Sequence, residues 1–265
     1  MNYYTVKQIY SWLYSIRDPD NVFCYLAVGD KSALLYDTAY GIGSLPDVIR
    51  EITDKPVTVA LGHGHVDHAN GAYQFNEAWL HENDFKLCNL HTSEAFRRNI
   101  AADVIKSGAP LPEGFNAEAY AKAGKDLQLK KLEIGQIFDL GGLYMETVAM
   151  EGHTAGSAGL LARKQRVLLT SDAANPHIWM FLQESLPIAQ YIAMLERVKE
   201  LDFDVFFIGH SDQPMLKSEI DKFISVARNA SVEKSSPYKT FPELNGFLYQ
   251  EGDTGIVFSE EKLKP

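Results

Sequence analysis

Residues 61–71, LGHGHVDHANG, decide the fold of this chain. Three of the eight histidines in the 265-residue protein fall within this stretch, together with one aspartate: His63, His65, Asp67 and His68. Imidazole and carboxylate groups at such short spacing are typical of a metal site. Residues 57–61, VTVAL, come just before and predict a short buried strand. The histidines therefore lie where a strand passes into a loop, unlike the helical HExxH zinc motif.

The spacing within the stretch constrains its shape. His63 and His65 are two residues apart, so on an extended segment they point to the same side. Asp67 continues this alternation, whereas His68 does not. Asp67 and His68 can serve one site only if the chain curls out of the strand between them. Ala69, Asn70 and Gly71 predict such a turn.

The same arrangement recurs along the chain, with an apolar strand ending and a histidine or aspartate following it. Singly, each of these residues has an ordinary alternative role, such as capping a helix or forming a turn. Together they indicate functional side chains on loops at one rim of a rigid scaffold. The additional residues are Asp37 after SALLY, His153 in GHTAGS, Asp172 after VLLTS and His210 after DVFFIG.

The remaining histidines and the two cysteines favour structural roles. His81 in HEND is expected to cap a helix beginning at Asn83, and His91 to precede another helix cap. Cys24 and Cys88 lie in apolar stretches without a CxxC spacing, so both are expected to be buried, reduced thiols.

The order of elements predicts one domain, residues 1–265, with a helical insertion at about residues 92–127. The insertion is either a lid over the site or a satellite with no catalytic part. Strands are predicted at 4–16, 22–29, 32–37, 57–61, 78–80, 130–133, 137–139, 143–149, 160–163, 167–170, 204–208, 247–250 and 256–259, and helices at 44–53, 71–76, 187–201 and 215–232.

Charge and hydropathy limit the partners. The net charge of −10 disfavours nucleic acid, because such binding relies on cationic side chains that neutralise phosphates. No apolar run approaches eighteen residues and no signal peptide is recognisable, so we expect no membrane association and a cytoplasmic location. The expected partner is a small-molecule substrate, and a homodimer is compatible with the sequence.

The five motifs together resemble those of the metallo-β-lactamase fold hydrolases. They occur in the same order, and the likeness covers roughly residues 4–260. The resemblance implies an α+β fold, an αββα sandwich of two mixed β-sheets with helices outside. It also implies two divalent metal ions, Zn²⁺ first, with Mn²⁺ or Fe²⁺ as alternatives. By the same resemblance His63, His65 and His153 hold the first ion, Asp67, His68 and His210 the second, Asp172 bridges them, and Asp37 supports the site without coordinating.

The resulting hypothesis is a hydrolase in which a metal-bridging hydroxide attacks an ester, thioester or lactone of a small molecule. One ion polarises the carbonyl oxygen, the other stabilises the departing oxygen or sulfur, and Asp67 orients the nucleophile as the catalytic residue. The alternative is a small-molecule phosphodiesterase using the same dinuclear site. A diiron electron-transfer protein is disfavoured, because such members usually carry Glu where this chain has His65.

The substrate class is left open by two departures from related subfamilies. Glyoxalase II-like thioesterases usually have Thr where this chain has Gly62, and quorum-quenching lactonases have Tyr where it has Asn175. Aromatic and polar residues next to the predicted site loops are candidates for the substrate pocket. These are Trp12, Tyr40, Asn175, His177, Trp179 and Phe181.

Overall fold

The first half of the chain builds a seven-stranded sheet whose strands lie in sequence order. The computed structural model describes residues 3–124, 126–241 and 244–264. Pairing is antiparallel from the first to the fourth strand and parallel from the fourth to the seventh. The strands are β1 (Thr5–Tyr10), β2 (Leu13–Arg17), β3 (Phe23–Val28), β4 (Ala33–Tyr36), β5 (Val57–Ala60), β6 (Glu77–Leu80) and β7 (Gln128–Lys131).

The second half builds a six-stranded mixed sheet and a smaller four-stranded sheet. The six-stranded sheet has the order β14-β13-β11-β10-β9-β8, and the smaller one β12-β17-β16-β15. Their strands are β8 (Ile137–Asp139), β9 (Tyr144–Ala149), β10 (Ala158–Ala162), β11 (Val167–Ser171), β12 (His177–Met180), β13 (Val205–Ile208), β14 (Ser211–Leu216), β15 (Ser236–Phe241), β16 (Leu244–Glu251) and β17 (Thr254–Phe258).

Helices pack on the outer faces of the two large sheets and, in the insertion, against one another. They are α1 (Leu45–Ile52), α2 (Val66–Ala69), α3 (Phe85–His91), α4 (Glu94–Ser107), α5 (Ala117–Lys122), α6 (Ile188–Lys199) and α7 (Ile220–Asn229). Short 3₁₀ helices lie at Asn70–Phe75, Glu82–Asp84, Lys217–Glu219, Val232–Lys234 and Glu260–Leu263. Among the described residues, no helix is long and apolar enough to cross a membrane.

The sandwich follows from the period-two alternation of apolar side chains. On β4, Leu35 packs with helix α1, while Leu34 and Tyr36 face the opposite sheet. On β11, Leu168 packs with α6 and α7, while Leu169 joins the layer between the sheets. A strand buried on both faces in this way needs a covering layer on each side. The predicted αββα sandwich is therefore confirmed.

Three local predictions differ from the structure. Residues 4–16 form the hairpin of β1 and β2 rather than one strand, and its turn contains neither Gly nor Pro to mark it. Residues 211–216 form β14, so the helix predicted from residue 215 begins only at Ile220. Pro214 is tolerated there because β14 is an edge strand. The predicted closing hairpin is part of the unpredicted four-stranded sheet.

Hydrogen bonds between loops join the two large sheets along one rim. The hydroxyl of Tyr36 donates to the carbonyl of Ala158 at 2.7 Å, and the amide of Ala158 donates to the carbonyl of Gly62 at 2.8 Å. The amide of Phe23 likewise donates to the carbonyl of Gly209 at 2.8 Å. The amide of Gly62 also donates to Asp37 after β4, and the amide of Gly209 donates to the carbonyl of Ser171 at the end of β11, so the loops after β5 and β13 are held against the ends of their neighbours.

Candidate metal centre

Three buried imidazoles meet at this rim. Nδ1 of His65 lies 3.0 Å from Nε2 of His63 and 2.9 Å from Nε2 of His153. The three side chains come from the loops after β5 and β9, and all are buried. We call these residues the tri-histidine cluster. Their nitrogens converge as three ligands of one metal ion would.

A second group of donors lies beside the first. Oδ2 of Asp172 lies 3.3 Å from Nε2 of His210 and 3.5 Å from Nε2 of His68. Oδ2 of Asp67 lies 3.3 Å from the same nitrogen of His68. We call these four residues the mixed cluster. Nε2 of His153 is 4.0 Å from Oδ2 of Asp172, so one carboxylate oxygen faces both clusters.

The local fold of HGHVDH explains how one short stretch supplies both clusters. His65 is the N-cap of α2, and Asp67 and His68 lie within that helix. The chain therefore leaves the extended conformation after His65, earlier than the turn between Asp67 and His68 expected from the sequence. Successive residues on a helix project about 100° apart, so residues 67 and 68 both reach the mixed cluster from α2.

Four of the five clustered histidines have a hydrogen-bond partner on the ring nitrogen that faces away. Such contacts fix the ring and its tautomer, as is usual for metal-binding histidines. His63 Nδ1 lies 3.2 Å from Ser171 Oγ, His68 Nδ1 lies 3.0 Å from Asp37 Oδ2, His153 Nδ1 lies 2.8 Å from the Trp179 carbonyl and His65 Nε2 lies 2.6 Å from Glu184 Oε1.

Electrostatics differ between the two clusters in the absence of metal. Burial and the neighbouring imidazoles hold the pKa of His63 well below its usual range, and burial lowers the pKa of His153 to about 4. His63 and His153 are thus neutral, with lone pairs available for coordination. In the mixed cluster, the charge of Asp172 raises the pKa of His210 to about 9. Burial opposes the charge on His68, but the surrounding carboxylates outweigh it and raise the His68 pKa.

The donor atoms fit divalent metal ions. His68 Nε2 and Asp172 Oδ1 are buried without a hydrogen-bond partner in the described structure, although Asp67 Oδ2 lies close to the former. Buried polar atoms are costly to leave unpaired, and coordination would satisfy them. Nitrogen and carboxylate donors suit Zn²⁺, Mn²⁺ or Fe²⁺. Cys24 and Cys88 are buried, free and outside both clusters, as predicted.

Asp37 lies behind the mixed cluster, on the outer side of the His68 ring. It is 1% exposed, and its Oδ1 accepts from the amide of Gly62 at 2.7 Å. Oδ2 faces the outer nitrogen of His68 and the hydroxyl of Ser171. Both oxygens are therefore occupied by residues that position the two clusters.

The six candidate pocket residues do not lie together: three are near the clusters or the insertion, and three are elsewhere. Trp179 and Phe181 form an aromatic group with Tyr238, and the Trp179 carbonyl contacts His153. Tyr40 is half-buried, and its carbonyl accepts from Tyr120 of α5 at 2.8 Å. The other three lie elsewhere: Trp12 stacks on Tyr10 and packs with the sandwich core, Asn175 accepts from the His177 amide in a turn, and His177 is exposed.

Arg97 anchors helix α4 of the insertion next to the metal-site loop. Its side chain is fully buried, its guanidinium donates to the carbonyl of Asn70 at 2.8 Å, and it lies over the ring of Tyr73 at 4.3 Å. Asn70 follows α2 directly. The insertion is thus packed against the segment that carries His68.

Three further residues at the site were missed from the sequence. Glu184 and Ser171 contact the outer ring nitrogens of His65 and His63. Asp84, which is 1% exposed, accepts from the amides of Gly64 and Gly156 at 2.9 and 2.7 Å. It thereby connects the two loops of the tri-histidine cluster. The only sequence signal for it was the acidic HEND turn, which also contains the helix-capping His81.

Glu184 is held by the C-terminal part of the chain. Lys262, in the last 3₁₀ helix, is 9% exposed and donates to the carbonyls of Gln183 and Ser185. The hydroxyl of Ser185 donates to the carbonyl of His153 at 2.9 Å. The ring of His91 stacks on the ring of His65, with centroids 5.3 Å apart.

Comparison with known proteins gives a consistent family. The profile of the metallo-beta-lactamase superfamily matches residues 17–210. The human protein named acyl-coenzyme A thioesterase MBLAC2 is 24% identical over 190 residues, which are 67% of each chain. The probable metallo-hydrolase YqgX of Bacillus subtilis (strain 168) is 24% identical over 154 residues, 58% of this chain and 66% of that one.

Solved structures agree on the fold. A beta-lactamase domain protein from Burkholderia ambifaria superposes with a TM-score of 0.62 at 18% sequence identity, covering 87% of this chain and 77% of that one. The profile match spans most of the chain, including all seven clustered histidines and aspartates. This chain therefore belongs to the metallo-beta-lactamase superfamily.

Proposed function

We propose that the protein is a dinuclear metal-dependent hydrolase that cleaves an ester, thioester or lactone bond in a small molecule. The observation that carries this proposal is the position of Asp172. Its Oδ2 lies 3.3 Å from His210 Nε2 and 4.0 Å from His153 Nε2, so a single carboxylate is available to both clusters. A shared carboxylate supports two ions acting as a pair, with Zn²⁺ as the first candidate.

Each cluster has a distinct part in this proposal. Divalent ions held there would supply Lewis-acid polarisation of a carbonyl oxygen and a water of lowered pKa. The tri-histidine cluster offers three imidazole nitrogens, and the mixed cluster offers two carboxylates that balance the positive charge. Burial favours protonation of Asp67, but the charge of His68 outweighs it and lowers the Asp67 pKa. Asp67 is therefore ionised at neutral pH and can accept a hydrogen bond that orients the attacking water.

A thioester is our first choice of substrate. The human relative is named an acyl-coenzyme A thioesterase, and this supports the choice. Gly62, where glyoxalase II-like thioesterases usually have Thr, is explained by local packing rather than by the substrate. A Cβ at this position would lie 2.5 Å from Ser171 Cβ and 2.6 Å from the Tyr36 hydroxyl, so only glycine fits. The backbone carbonyl of Trp179 contacts His153, and the Trp179 ring packs with Phe181 and Tyr238, so an aromatic group on this segment favours an apolar acyl part.

A substrate panel tests the proposal. Zinc-loaded and manganese-loaded protein would be assayed with an acyl thioester, an aryl ester, a lactone, a β-lactam and bis-p-nitrophenyl phosphate. We expect turnover of the thioester or ester together with two bound ions per chain. Asp172→Asn should abolish both, whereas the matched exposed change Asp202→Asn should abolish neither. Turnover of the phosphodiester alone would replace this proposal with the phosphodiesterase alternative.

A further inference from the structure

Ser171, the last residue of β11, lies between the two clusters. It is 2% exposed. Its φ angle of 49° is in the left-handed region, which favours glycine over residues with a side chain. The register of β11 against β13 shifts between Leu169 and Ser171, and such a bulge re-aims the side chain that follows it. A serine is thus held in an unfavourable conformation at the rim of the site.

The Ser171 hydroxyl contacts a group from each side of the centre. Oγ lies 2.6 Å from Oδ2 of Asp37, 3.2 Å from Nδ1 of His63 and 3.3 Å from Nδ1 of His68. His63 presents Nε2 to the tri-histidine cluster, so its Nδ1 carries the proton and donates to Ser171 Oγ. The Ser171 hydroxyl proton then has the Asp37 carboxylate as its acceptor.

Two imidazoles, one from each cluster, therefore depend on the same carboxylate. His68 donates to Asp37 Oδ2 directly at 3.0 Å, and His63 reaches it only through Ser171. A carboxylate behind a ligating histidine fixes the ring and strengthens the nitrogen that faces the metal. For His63, that effect requires the serine hydroxyl. The unfavourable backbone conformation of Ser171 places this hydroxyl between the ring and the carboxylate.

We propose that Ser171 is a positioning residue that links His63 to Asp37 and thereby sets the metal affinity of the tri-histidine cluster. The inference rests on the proposed dinuclear site. If the inference is right, loss of the Ser171 hydroxyl weakens metal binding at the tri-histidine cluster only, because His68 of the mixed cluster keeps its direct contact with Asp37. Loss of the Asp37 carboxylate should weaken both clusters.

The test measures Zn²⁺ affinity by chelator competition in two single-cluster backgrounds. His210→Ala leaves the tri-histidine cluster complete, and His153→Ala leaves the mixed cluster complete. We expect Ser171→Ala to lower affinity by about 10–100-fold in the first background and by less than about twofold in the second. Ser171→Gly removes the same hydroxyl and relieves the left-handed strain, so it should repeat the selective loss without the destabilisation that alanine could bring.

Thr170→Val is the matched control. Thr170 is also buried at the end of β11, but its hydroxyl contacts the carbonyl of Phe207 at 3.1 Å rather than an imidazole. This variant should leave both affinities unchanged, even if the protein becomes less stable. Equal losses in both backgrounds for Ser171→Gly, or no loss, would overturn the role of Ser171. If the parent protein binds no metal at either cluster, the proposed function itself fails, and the two outcomes are thus separate.

Discussion

Oε1 of Glu184 lies 2.6 Å from Nε2 of His65, on the side of the ring opposite His63 and His153. Burial raises the pKa of the Glu184 carboxyl, but the hydrogen bond from His65 outweighs it and lowers that pKa to about 2. The tri-histidine cluster thus has an ionised carboxylate behind one ring, while His63 reaches one through Ser171. Each contact can be removed by its own substitution, and its effect on metal affinity can be measured separately.

Glu184→Ala should weaken Zn²⁺ binding at the tri-histidine cluster by about 10–100-fold, because His65 loses the partner that orients it. Glu184→Gln keeps an acceptor oxygen without the charge and should cost about tenfold at most. Competition titration in the His210→Ala background would measure both. Glu200→Gln, an exposed change of the same kind at the end of α6, is the control and should have no effect. Equal affinities for all three variants would contradict the role of Glu184.

Gly156→Ala should destabilise the protein through the Asp84 contact. A Cβ at position 156 would lie 2.6 Å from both Cγ and Oδ1 of Asp84, closer than packed atoms approach. We expect a loss of about 2–3 kcal/mol in the free energy of unfolding, as for other overpacked sites. Gly114→Ala provides the comparison, because its Cβ meets no atom within 4 Å although its φ is +71°. It should cost only about 1 kcal/mol. Urea unfolding would measure both variants. Equal losses in the free energy of unfolding for Gly156→Ala and Gly114→Ala would rule out the steric explanation.

Asp18 should make the stability of the metal-free protein depend on pH. Its side chain is 2% exposed, and burial raises the pKa of the carboxyl to about 6. Because the folded-state pKa lies above the unfolded value of about 4, folding favours the protonated carboxyl, and its contribution to stability is fully present below pH 4. It is lost as pH rises through 6. Asp18→Asn should remove this loss, so its stability relative to the parent should rise by about 2–3 kcal/mol between pH 4 and pH 8.

Thermal or urea unfolding at several pH values would check the Asp18 prediction. Asp20→Asn lies in the same turn but is exposed, and its stability should follow the parent curve. The amide oxygen at position 18 can still accept from the backbone at Asp20 and Val22, so the turn itself is retained. A stability difference that stays constant from pH 4 to pH 8 would contradict the assignment.

Removal of metal should destabilise the fold. The carboxylates and histidines of the mixed cluster are buried close together, and His68 Nε2 and Asp172 Oδ1 have no other hydrogen-bond partner in the described structure. At a free Zn²⁺ concentration 100 times the dissociation constant, each ion should add about 3 kcal/mol to the free energy of unfolding. Calorimetry with and without EDTA would measure this. Magnesium added in place of zinc is the control. A melting temperature that EDTA leaves unchanged would count against a metal centre.

The ligand-bearing loops could be anticipated from sequence because their residues follow short apolar strands. HGHVDH, His153, Asp172 and His210 each stand at such a point, and the sandwich brings these points to one rim. Ser171, Glu184 and Asp84 could not be anticipated in this way. Glu184 is 119 residues from His65, and their contact depends on how the loop after β12 packs. An acidic residue in a polar loop has many ordinary uses, and only the folded geometry selects one.

The edges of the sheets were also hard to predict, for a different reason. Residues 211–216 carry a proline and few apolar side chains, so nothing in their pattern indicates a strand. They become β14 because β13 offers unpaired backbone groups at its edge. The hairpin of β1 and β2 likewise reverses at a turn without glycine or proline. Tertiary pairing rather than local propensity determines these segments.

The contact of Lys262 with residues 183 and 185 joins the surroundings of the metal centre to the last part of the described chain. All seven clustered histidines and aspartates have been synthesised by the time the ribosome reaches position 210, yet the loop that presents Glu184 to His65 still lacks its clamp. That clamp arrives only with the 3₁₀ helix at Glu260–Leu263. The seven clustered residues and the segment that fixes the Glu184 loop are thus supplied by separate parts of the chain, so a variant shortened before residue 260 would keep every candidate ligand but lose the support of that loop.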